Sequence, residues 1–437
     1  MAQIDSVVEY AIKCYNLHNY HIEWVNSGSN KVYRVYKPHE THKRQDRHDN
    51  YEAHATHATH DAHEALVTHD VHEAHVTHDV RDVHYVHDIH DVHDVHDIHD
   101  VHGTQVASNS HNDEPCFYLR ISTKGYDYVY AEIDWLMYLK GSINTPVLMC
   151  SKNGKIIETF CDGAANYVIC VYYEMLGEVW DKNNRKTWNE AVIHNWGVTM
   201  GKMHRLTKGY VPLAGVIKRP QFEDRLVSLE TYGNIPSVHQ KMKQIEENIL
   251  SLPKDIDSYG LIHSDLDQLN FLVKDNRIYV LDFDDCQYGH FALDIGIALY
   301  HALWWGLPDG GDGDNGGNGD NANGCAGAYK NVYACKIITA FMSGYNSENH
   351  LSDYWLDKIK LFMMYRQIDA LSWHLNYYKP KSMNEVVYND LFKVHYSFEK
   401  HIHYIENDIF YDNCSIDVSD IILKTIRRYK NIDGSPM

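Results

Sequence analysis

The stretch Gly260–Asp285 constrains the fold of this chain more than any other segment. Leu261 and Ile262 are typical of the end of a buried strand, and a polar loop follows them. Two short apolar runs, Phe271–Val273 and Ile278–Leu281, then flank the polar sequence Lys-Asp-Asn-Arg. This pattern predicts a β-hairpin, because polar turn residues between two apolar runs favour chain reversal.

The predicted hairpin has its midpoint near Asn276, which places Asn270 opposite Asp282 at the open end. Asp265 lies shortly before that end in the sequence. An amide oxygen beside two carboxylates is a set of hard oxygen ligands that suits Mg²⁺. A polar rim on a hairpin of some other α/β protein is the alternative interpretation of the same residues.

The pattern His263-Ser-Asp265-Leu-x-x-x-Asn270, followed by Asp282-Phe-Asp, resembles the catalytic loop and metal-binding segment of the aminoglycoside phosphotransferase/choline kinase family. The resemblance implies an α+β, protein-kinase-like fold, with a small β-rich N-terminal lobe and a larger helical C-terminal lobe. It implies ATP-dependent transfer of phosphate to a small-molecule hydroxyl, with Asp265 as the base and Asn270 and Asp282 as Mg²⁺ ligands. The loop departs from the family pattern at Ser264, which replaces Gly, and at Asp267, which replaces a second His.

Asp284 and Asp285 follow the predicted metal ligand directly. Adjacent residues of an extended strand point to opposite faces, so both cannot face the metal. We expect one to assist the metal and the other to meet a cationic acceptor.

The resemblance also assigns a nucleotide site in the first half of the chain. Its loop lies between two predicted strands and consists of Ser27, Gly28, Ser29 and Asn30, although an ordinary hairpin turn has the same composition. Arg120 takes the place of the strand lysine that reaches the phosphates, and Glu132 is the acid expected to hold it. Glu174 and Leu176 lie in the linker that binds the adenine edge, unless Leu176 is simply part of the core.

Two low-complexity segments interrupt the pattern. Histidine recurs at every third position from His54 to His102, except at Leu66 and Arg81, and a period of three fits neither a helix nor a strand. We therefore predict an insertion over 38–114, with adventitious transition-metal binding by 54–102, and a Gly/Asp/Asn-rich insertion over 308–327. The predicted domains are 1–173 for the nucleotide lobe and 174–437 for the catalytic and acceptor lobe.

Helical spacing of apolar residues predicts helices over 4–17, 130–140, 334–345, 355–378 and 390–405. Thr187 and Glu190 form a candidate capping box for another helix. Asp294 and His204 are interpreted as structural. Arg366 and neighbouring aromatic residues either line the acceptor pocket or belong to the core.

Composition limits the other functions. The formal net charge of −20 argues against nucleic acid as a partner, because phosphate contacts require Lys and Arg. No long apolar run predicts a membrane span, and scattered cysteines without CxxC spacing favour a cytoplasmic protein. The alternative to a small-molecule kinase is a non-catalytic, kinase-like nucleotide-binding or scaffold protein with a metal-binding histidine tract. Metal storage by that tract is a third hypothesis.

Overall fold

The computed structural model describes residues 6–26, 30–37, 115–163, 165–226, 235–307, 322–389, 394–410 and 417–432. The loop residues 27–29, the predicted insertion 38–114 and most of the insertion at 308–327 lie outside these ranges. The described residues form one compact unit with mixed α+β structure.

A five-stranded antiparallel sheet forms the first part of the fold. Its strands are β1 (His21–Asn26), β2 (Asn30–Tyr36), β3 (Phe117–Ser122), β4 (Glu158–Cys161) and β5 (Asn166–Tyr173), in the order β1-β2-β3-β5-β4. Strand alternation gives β3 two different faces. Phe117, Leu119 and Ile121 pack with α1 (Ser6–Cys14). Tyr118 and Arg120 alternate with them along the strand.

The second face of the sheet is covered by α2 (Tyr126–Leu139). Val129 and Ile133 of this helix pack against Val168 and Cys170 of β5. The predicted helices over 4–17 and 130–140 are therefore present, with α2 beginning four residues earlier than the predicted start.

The remainder is mainly helical. It contains β6 (Glu178–Val179), α3 (Glu190–Thr207), a 3₁₀ turn (Phe222–Arg225), α4 (Pro236–Leu250), β7 (Tyr259–Ile262), β8 (Phe271–Lys274), β9 (Arg277–Val280), β10 (Gln287–His290), α5 (Phe291–Trp305), α6 (Ala322–Glu348), α7 (Asp353–Tyr378), β11 (Val386–Asn389), β12 (Val394–Ser397), α8 (Phe398–Glu406) and α9 (Val418–Ile432). Helix α5 is buried along almost its whole length, which explains why its sequence is apolar on every side.

Strand pairing brings together the two ends of the segment Gly260–Asp285. The strands β7 and β10 pair antiparallel, with Ile262 opposite Gln287. The chain between them contains the polar loop and the β8–β9 hairpin. The β7–β10 pair therefore fixes both ends of this segment, and β6 pairs with β8 within it.

Close helix packing holds this part together. A Cβ on Gly197 of α3 would lie 2.0 Å from the carbonyl oxygen of Phe341, and one on Gly344 of α6 would lie 2.0 Å from that of His194. Only glycine permits this backbone approach, so α3 and α6 cross in near contact.

Two predictions about where helices begin were wrong. The N-cap of α3 is Asn189, whose side chain accepts a hydrogen bond from the N–H of Val192 at 3.0 Å, and Thr187 bonds to the preceding turn instead. The predicted helix over 390–405 begins only at Phe398, because β11 and β12 form a hairpin before it. No helix in the described part of the chain is long and apolar enough to cross a membrane.

Candidate active site

A buried carboxylate braces the polar loop that follows β7. Asp294 accepts hydrogen bonds from the N–H groups of His263, at 2.9 Å, and Ser264, at 2.6 Å. Its Oδ2 also lies 3.1 Å from Nε2 of His204. Asp294 and His204 are fully buried, so these contacts fix the start of the loop, in agreement with their interpretation as structural residues.

Ser264, which replaces the glycine of the family pattern, has a left-handed backbone. Its φ is 69°, a conformation that costs an L-residue roughly 1–2 kcal/mol relative to its usual region. Its hydroxyl accepts a hydrogen bond of 2.6 Å from the amide of Gln287 on β10. The serine therefore contributes a contact that a glycine would lack, which offsets part of the strain.

His263 ties the loop to the far end of the hairpin. Its Nε2 lies 2.8 Å from the carbonyl oxygen of Leu281, and the N–H of Asp265 donates to its Nδ1 at 3.3 Å. Burial lowers the pKa of His263, which favours the neutral ring that these two roles require. The ring thus fixes the distance between the loop and the segment that contains Asp282.

Asp265 is held on both of its carboxylate oxygens. The Asn270 amide donates to Oδ2 of Asp265 at 2.8 Å and to the backbone oxygen of Asp265 at 2.7 Å. Arg366 of α7 donates to Oδ1 at 2.7 Å. Asp265 is only 4% exposed, so its orientation is set before any substrate arrives.

The hairpin prediction was wrong by one residue. Asp275 and Asn276 form a two-residue turn with φ values of 52° and 59°, and the N–H of Leu281 donates to the oxygen of Asn270 at 2.9 Å. Leu281, rather than Asp282, therefore lies opposite Asn270. Asp282 follows directly, with its own φ of 51°.

Asn270 and Asp282 have the chemistry that a divalent cation requires. Both amide hydrogen bonds of Asn270 go to Asp265, so its oxygen is the atom that remains for a ligand. The side chain of Asp282 is exposed at the surface, and the loss of surrounding water to neighbouring protein atoms, together with the charges of Asp284 and Asp285, raises its pKa to about 7. Such an excess of negative charge is relieved by a cation, and Mg²⁺ commonly takes one or two protein ligands beside phosphate oxygens. The described residues contain no separate cluster of three or more His, Cys, Asp or Glu suited to a metal.

Arg120 forms the ion pair with Glu132 that the sequence anticipated. The two side chains share hydrogen bonds of 2.6 and 3.0 Å, and Glu132 is only 2% exposed. Arg120 also donates to Asp284 at 2.8 Å. Asn30, the one member of the predicted loop among the described residues, donates to the same carboxylate at 3.2 Å.

The linker residues have different surroundings. Glu174 forms an ion pair of 3.1 Å with Arg34 of β2, and its N–H donates to the oxygen of Cys116. Leu176 is half-buried. A Cβ on Gly177 would lie 2.7 Å from Cβ of Leu272, so the linker passes directly over β8. The linker and β8 are therefore in contact where the adenine edge is predicted to bind.

Asp284 and Asp285 lie in a turn rather than on an extended strand, and each pairs with basic residues of the chain, so the assignment of one to the metal and the other to an acceptor stays a prediction. Asp285 pairs with Arg225 at 3.0 Å. Asp284 pairs with Arg120 and with Lys124, the latter at 2.6 Å. Burial by itself would raise the pKa of Asp284, but the two cations outweigh it and hold that pKa well below its usual range.

Three basic residues of the site were not identified from the sequence as site residues. Lys124 follows β3, and Arg225 belongs to the 3₁₀ turn. Arg219 is 3% exposed and donates to the backbone oxygens of Asp284, Cys286 and Tyr128, at 2.5, 2.9 and 3.0 Å. It fastens Asp284 and Cys286 to α2, the helix of Glu132, but nothing in the local sequence around it signals this contact.

A β-sheet with an Arg–Glu ion pair is joined by a short linker to a helical part. The helical part contains a loop with an Asp and an Asn, and a further Asp follows that loop. This combination defines a kinase-like phosphotransferase. A family model described as "Phosphotransferase enzyme family" matches residues 104–322, about half of the chain. The chain belongs to that family. The expectation of a kinase-like α+β fold and of a small-molecule phosphotransferase is confirmed.

Individual relatives agree with this assignment. Amicoumacin kinase of Bacillus subtilis (strain 168) is 32% identical over 249 residues, which are 55% of this chain and 68% of that protein. The solved structure of amicoumacin kinase hAmiN in complex with AMP-PNP, Ca²⁺ and Ami has a TM-score of 0.63 and 19% identity, covering 95% of this chain and 96% of its own. A microcompartment-associated aminopropanol kinase has a TM-score of 0.52 and 16% identity, with 98% of both chains covered. These two structures support the fold.

Proposed function

We propose that the protein transfers the γ-phosphate of ATP, with Mg²⁺, to a hydroxyl group of a small molecule. The observation that carries this proposal is the Asp265 carboxylate, held by Asn270 and Arg366, in a loop that the Leu281–Asn270 hydrogen bond joins to the residue before Asp282. Phosphoryl transfer depends on positioning and charge stabilisation rather than on covalent chemistry by the protein.

Each site residue has a defined role in this proposal. The acceptor hydroxyl donates its proton to Asp265 while its oxygen forms a bond to the γ-phosphorus. The bond between that phosphorus and the β-phosphate oxygen breaks, and ADP leaves with the electron pair. Arg120 contacts the phosphates and is kept in place by Glu132. The 27–30 loop, Glu174 and Leu176 contact the rest of the nucleotide.

Asn270 and Asp282 are the residues that would hold the metal. Mg²⁺ bound there supplies positive charge that neutralises the phosphate oxygens as charge moves towards the leaving group. The AMP-PNP and Ca²⁺ in the hAmiN complex support the use of a nucleoside triphosphate and a divalent cation.

The acceptor class that we propose is an amino alcohol, a sugar or an aminoglycoside. The relatives named for amicoumacin and for aminopropanol, which is an amino alcohol, support this range. The departures at Ser264 and Asp267 do not distinguish among these classes. The cytoplasmic location and the absence of a nucleic-acid partner stay predictions from composition.

A phosphate-transfer screen with the full-length chain tests the proposal. The γ-labelled ATP and Mg²⁺ are incubated with aminopropanol, ethanolamine, choline, hexoses, aminoglycosides and amicoumacin, and labelled acceptor is separated from ATP. We expect transfer to at least one acceptor, and Asp265→Asn to reduce it about 10²–10⁴-fold, the usual contribution of a catalytic base. Asp282→Asn should abolish the Mg²⁺-dependent rate.

A matched control variant distinguishes the loss of a reacting group from a general loss of negative charge. Asp257→Asn removes an exposed carboxylate that pairs only with Lys208 at the surface, and transfer should be unchanged. Thermal unfolding checks that each variant is folded: Asp265→Asn removes one partner of the buried pair with Arg366 and should unfold at a lower temperature, whereas Asp257→Asn should unfold close to the parent. Nucleotide binding without transfer to any acceptor would favour the non-catalytic scaffold, and loss of transfer on deletion of 54–102 would assign a role to the histidine tract.

A further inference from the structure

The carboxylate of Asp284 is bound by three donors from the sheet side of the site. Arg120 donates to Oδ1 at 2.8 Å, and Lys124 donates to Oδ2 at 2.6 Å. The amide of Asn30 also donates to Oδ2, at 3.2 Å. Asp284 itself is only 4% exposed. Two cations and an amide thus converge on one anionic group.

This set of donors has the composition of a phosphate site. Arginine binds phosphate through its planar fork and lysine through a point charge. Asn30 is the last residue of the predicted nucleotide loop, and Arg120 is oriented by Glu132. Lys124 lies over the ring of Tyr128, with Nζ 5.1 Å from the ring centre, which restricts its position.

The backbone of Asp284 is fixed independently of its side chain. Arg219 donates to the backbone oxygen of Asp284 at 2.5 Å and to that of Cys286 at 2.9 Å. The carboxylate can therefore rotate away from its donors while the chain stays in place.

We propose that Lys124 is a second phosphate-binding cation of the nucleotide site, and that Asp284 is an internal anion that occupies the site until a nucleotide displaces it. The proposal rests on the proposed function, because it requires that the site binds a nucleotide. The phosphates take over the hydrogen bonds of Arg120, Lys124 and Asn30. The carboxylate of Asp284 turns towards Asp282 and the metal.

The test is equilibrium binding of ADP to the full-length protein, measured by calorimetry with EDTA and again with Mg²⁺. Asp284→Asn removes the competing anion, so it should tighten metal-free ADP binding on the order of tenfold, the equivalent of one charge-assisted hydrogen bond. The same variant should weaken the Mg²⁺-dependent gain in affinity. Lys124→Met should weaken ADP binding by a similar factor in both conditions, because it removes a donor.

The control is Asp285→Asn, which removes the same charge one residue away from a carboxylate that pairs with Arg225. An equal gain for both variants would mean a general charge effect and would overturn the proposal. Weaker metal-free binding by Asp284→Asn, or unchanged binding by Lys124→Met, would also overturn it. Thermal unfolding with and without ADP verifies that each variant is folded. If the parent protein binds no nucleotide in either condition, the proposed function itself fails.

Discussion

Arg366 connects the helical part of the chain to Asp265, and its replacement tests whether this contact serves catalysis. Arg366 is 9% exposed. It donates to Asp265 at 2.7 Å and to Asp369 at 2.8 Å, and its Nε donates to His301 at 3.0 Å. Arg366→Gln removes the charge and leaves Asn270 as the side chain that holds Asp265.

The expected loss follows from the contact with Asp265. A hydrogen bond between charged groups is worth about 1.5–3 kcal/mol, so full loss of this contact in the transition state lowers kcat roughly 10- to 150-fold. The KM for ATP should change less than about twofold, because the predicted nucleotide residues Arg120 and Glu132 lie on β3 and α2 rather than on α7. Arg366→Lys keeps a charge but cannot reach three partners at once, so its kcat should lie between that of the parent and that of Arg366→Gln.

Steady-state kinetics with a saturating acceptor, together with thermal unfolding, measure both effects. Arg205→Gln is the control, since Arg205 pairs with Glu348 at the surface and its side chain is 49% exposed. Removal of one partner from a buried ion pair also destabilises the fold, by about 3–5 kcal/mol. Asp369→Asn in the same chain should recover part of that stability without recovering kcat. A kcat for Arg366→Gln within twofold of the parent would refute the positioning role.

Three other predictions concern stability. Ser264→Gly should be more stable than Ser264→Ala by about 1 kcal/mol in chemical denaturation, because only glycine relieves a φ of 69°; equal stabilities would contradict this strain. Gly197→Ala should lower the free energy of unfolding by about 1–3 kcal/mol or more through overpacking, whereas Gly125→Ala, with nothing within 4 Å of the new Cβ, should have little effect. Burial lowers the pKa of His290 to about 4, so the unfolded chain binds the proton first as pH falls below about 6.5. Stability should therefore drop between pH 6.5 and 4, by about 1 kcal/mol at pH 5.5, and His290→Gln should remove this part of the slope.

The sequence predicted those site residues that lie close together along the chain, in a characteristic order. Asp265 and Asn270 share one loop, and Arg120 and Glu132 lie on a strand and the helix that follows it. Their spacing is therefore visible in a single pass along the chain. Their contacts with one another are present in the structure, while their catalytic and nucleotide-binding roles stay predictions.

The residues that were missed make contacts across long stretches of sequence. Lys124 reaches Asp284 over 160 residues, and Arg219 reaches the same residue over 65. Arg366 was a candidate for the acceptor pocket, but its contact with Asp265, over 101 residues, was not predicted. No local pattern distinguishes a buried lysine or arginine of this kind from one in solvent, since long charged side chains are usually exposed. The cap at Asn189 and the strand pair before Phe398 were missed for another reason. In both places two local preferences competed, and tertiary packing decided between them.

The register of the β8–β9 hairpin shows why a small error in the predicted turn did not mislead the functional assignment. A shift of one residue normally moves every side chain of a strand to the opposite face. Here the ladder ends at the Asn270–Leu281 hydrogen bond, and Asp282 lies beyond it with a φ of 51°, so strand alternation no longer determines its direction. The position of Asp282 depends instead on His263, which holds Leu281, and on Arg219, which holds Asp284 and Cys286. These anchors lie on both sides of Asp282 and connect it to the loop of Asp265 and to the helix of Glu132. The geometry at Asp282 is therefore set by tertiary contacts that connect the two halves of the site. Substitution of His263 or of Arg219 should disturb the proposed metal-dependent chemistry, although Asn270 and Asp282 themselves are unchanged.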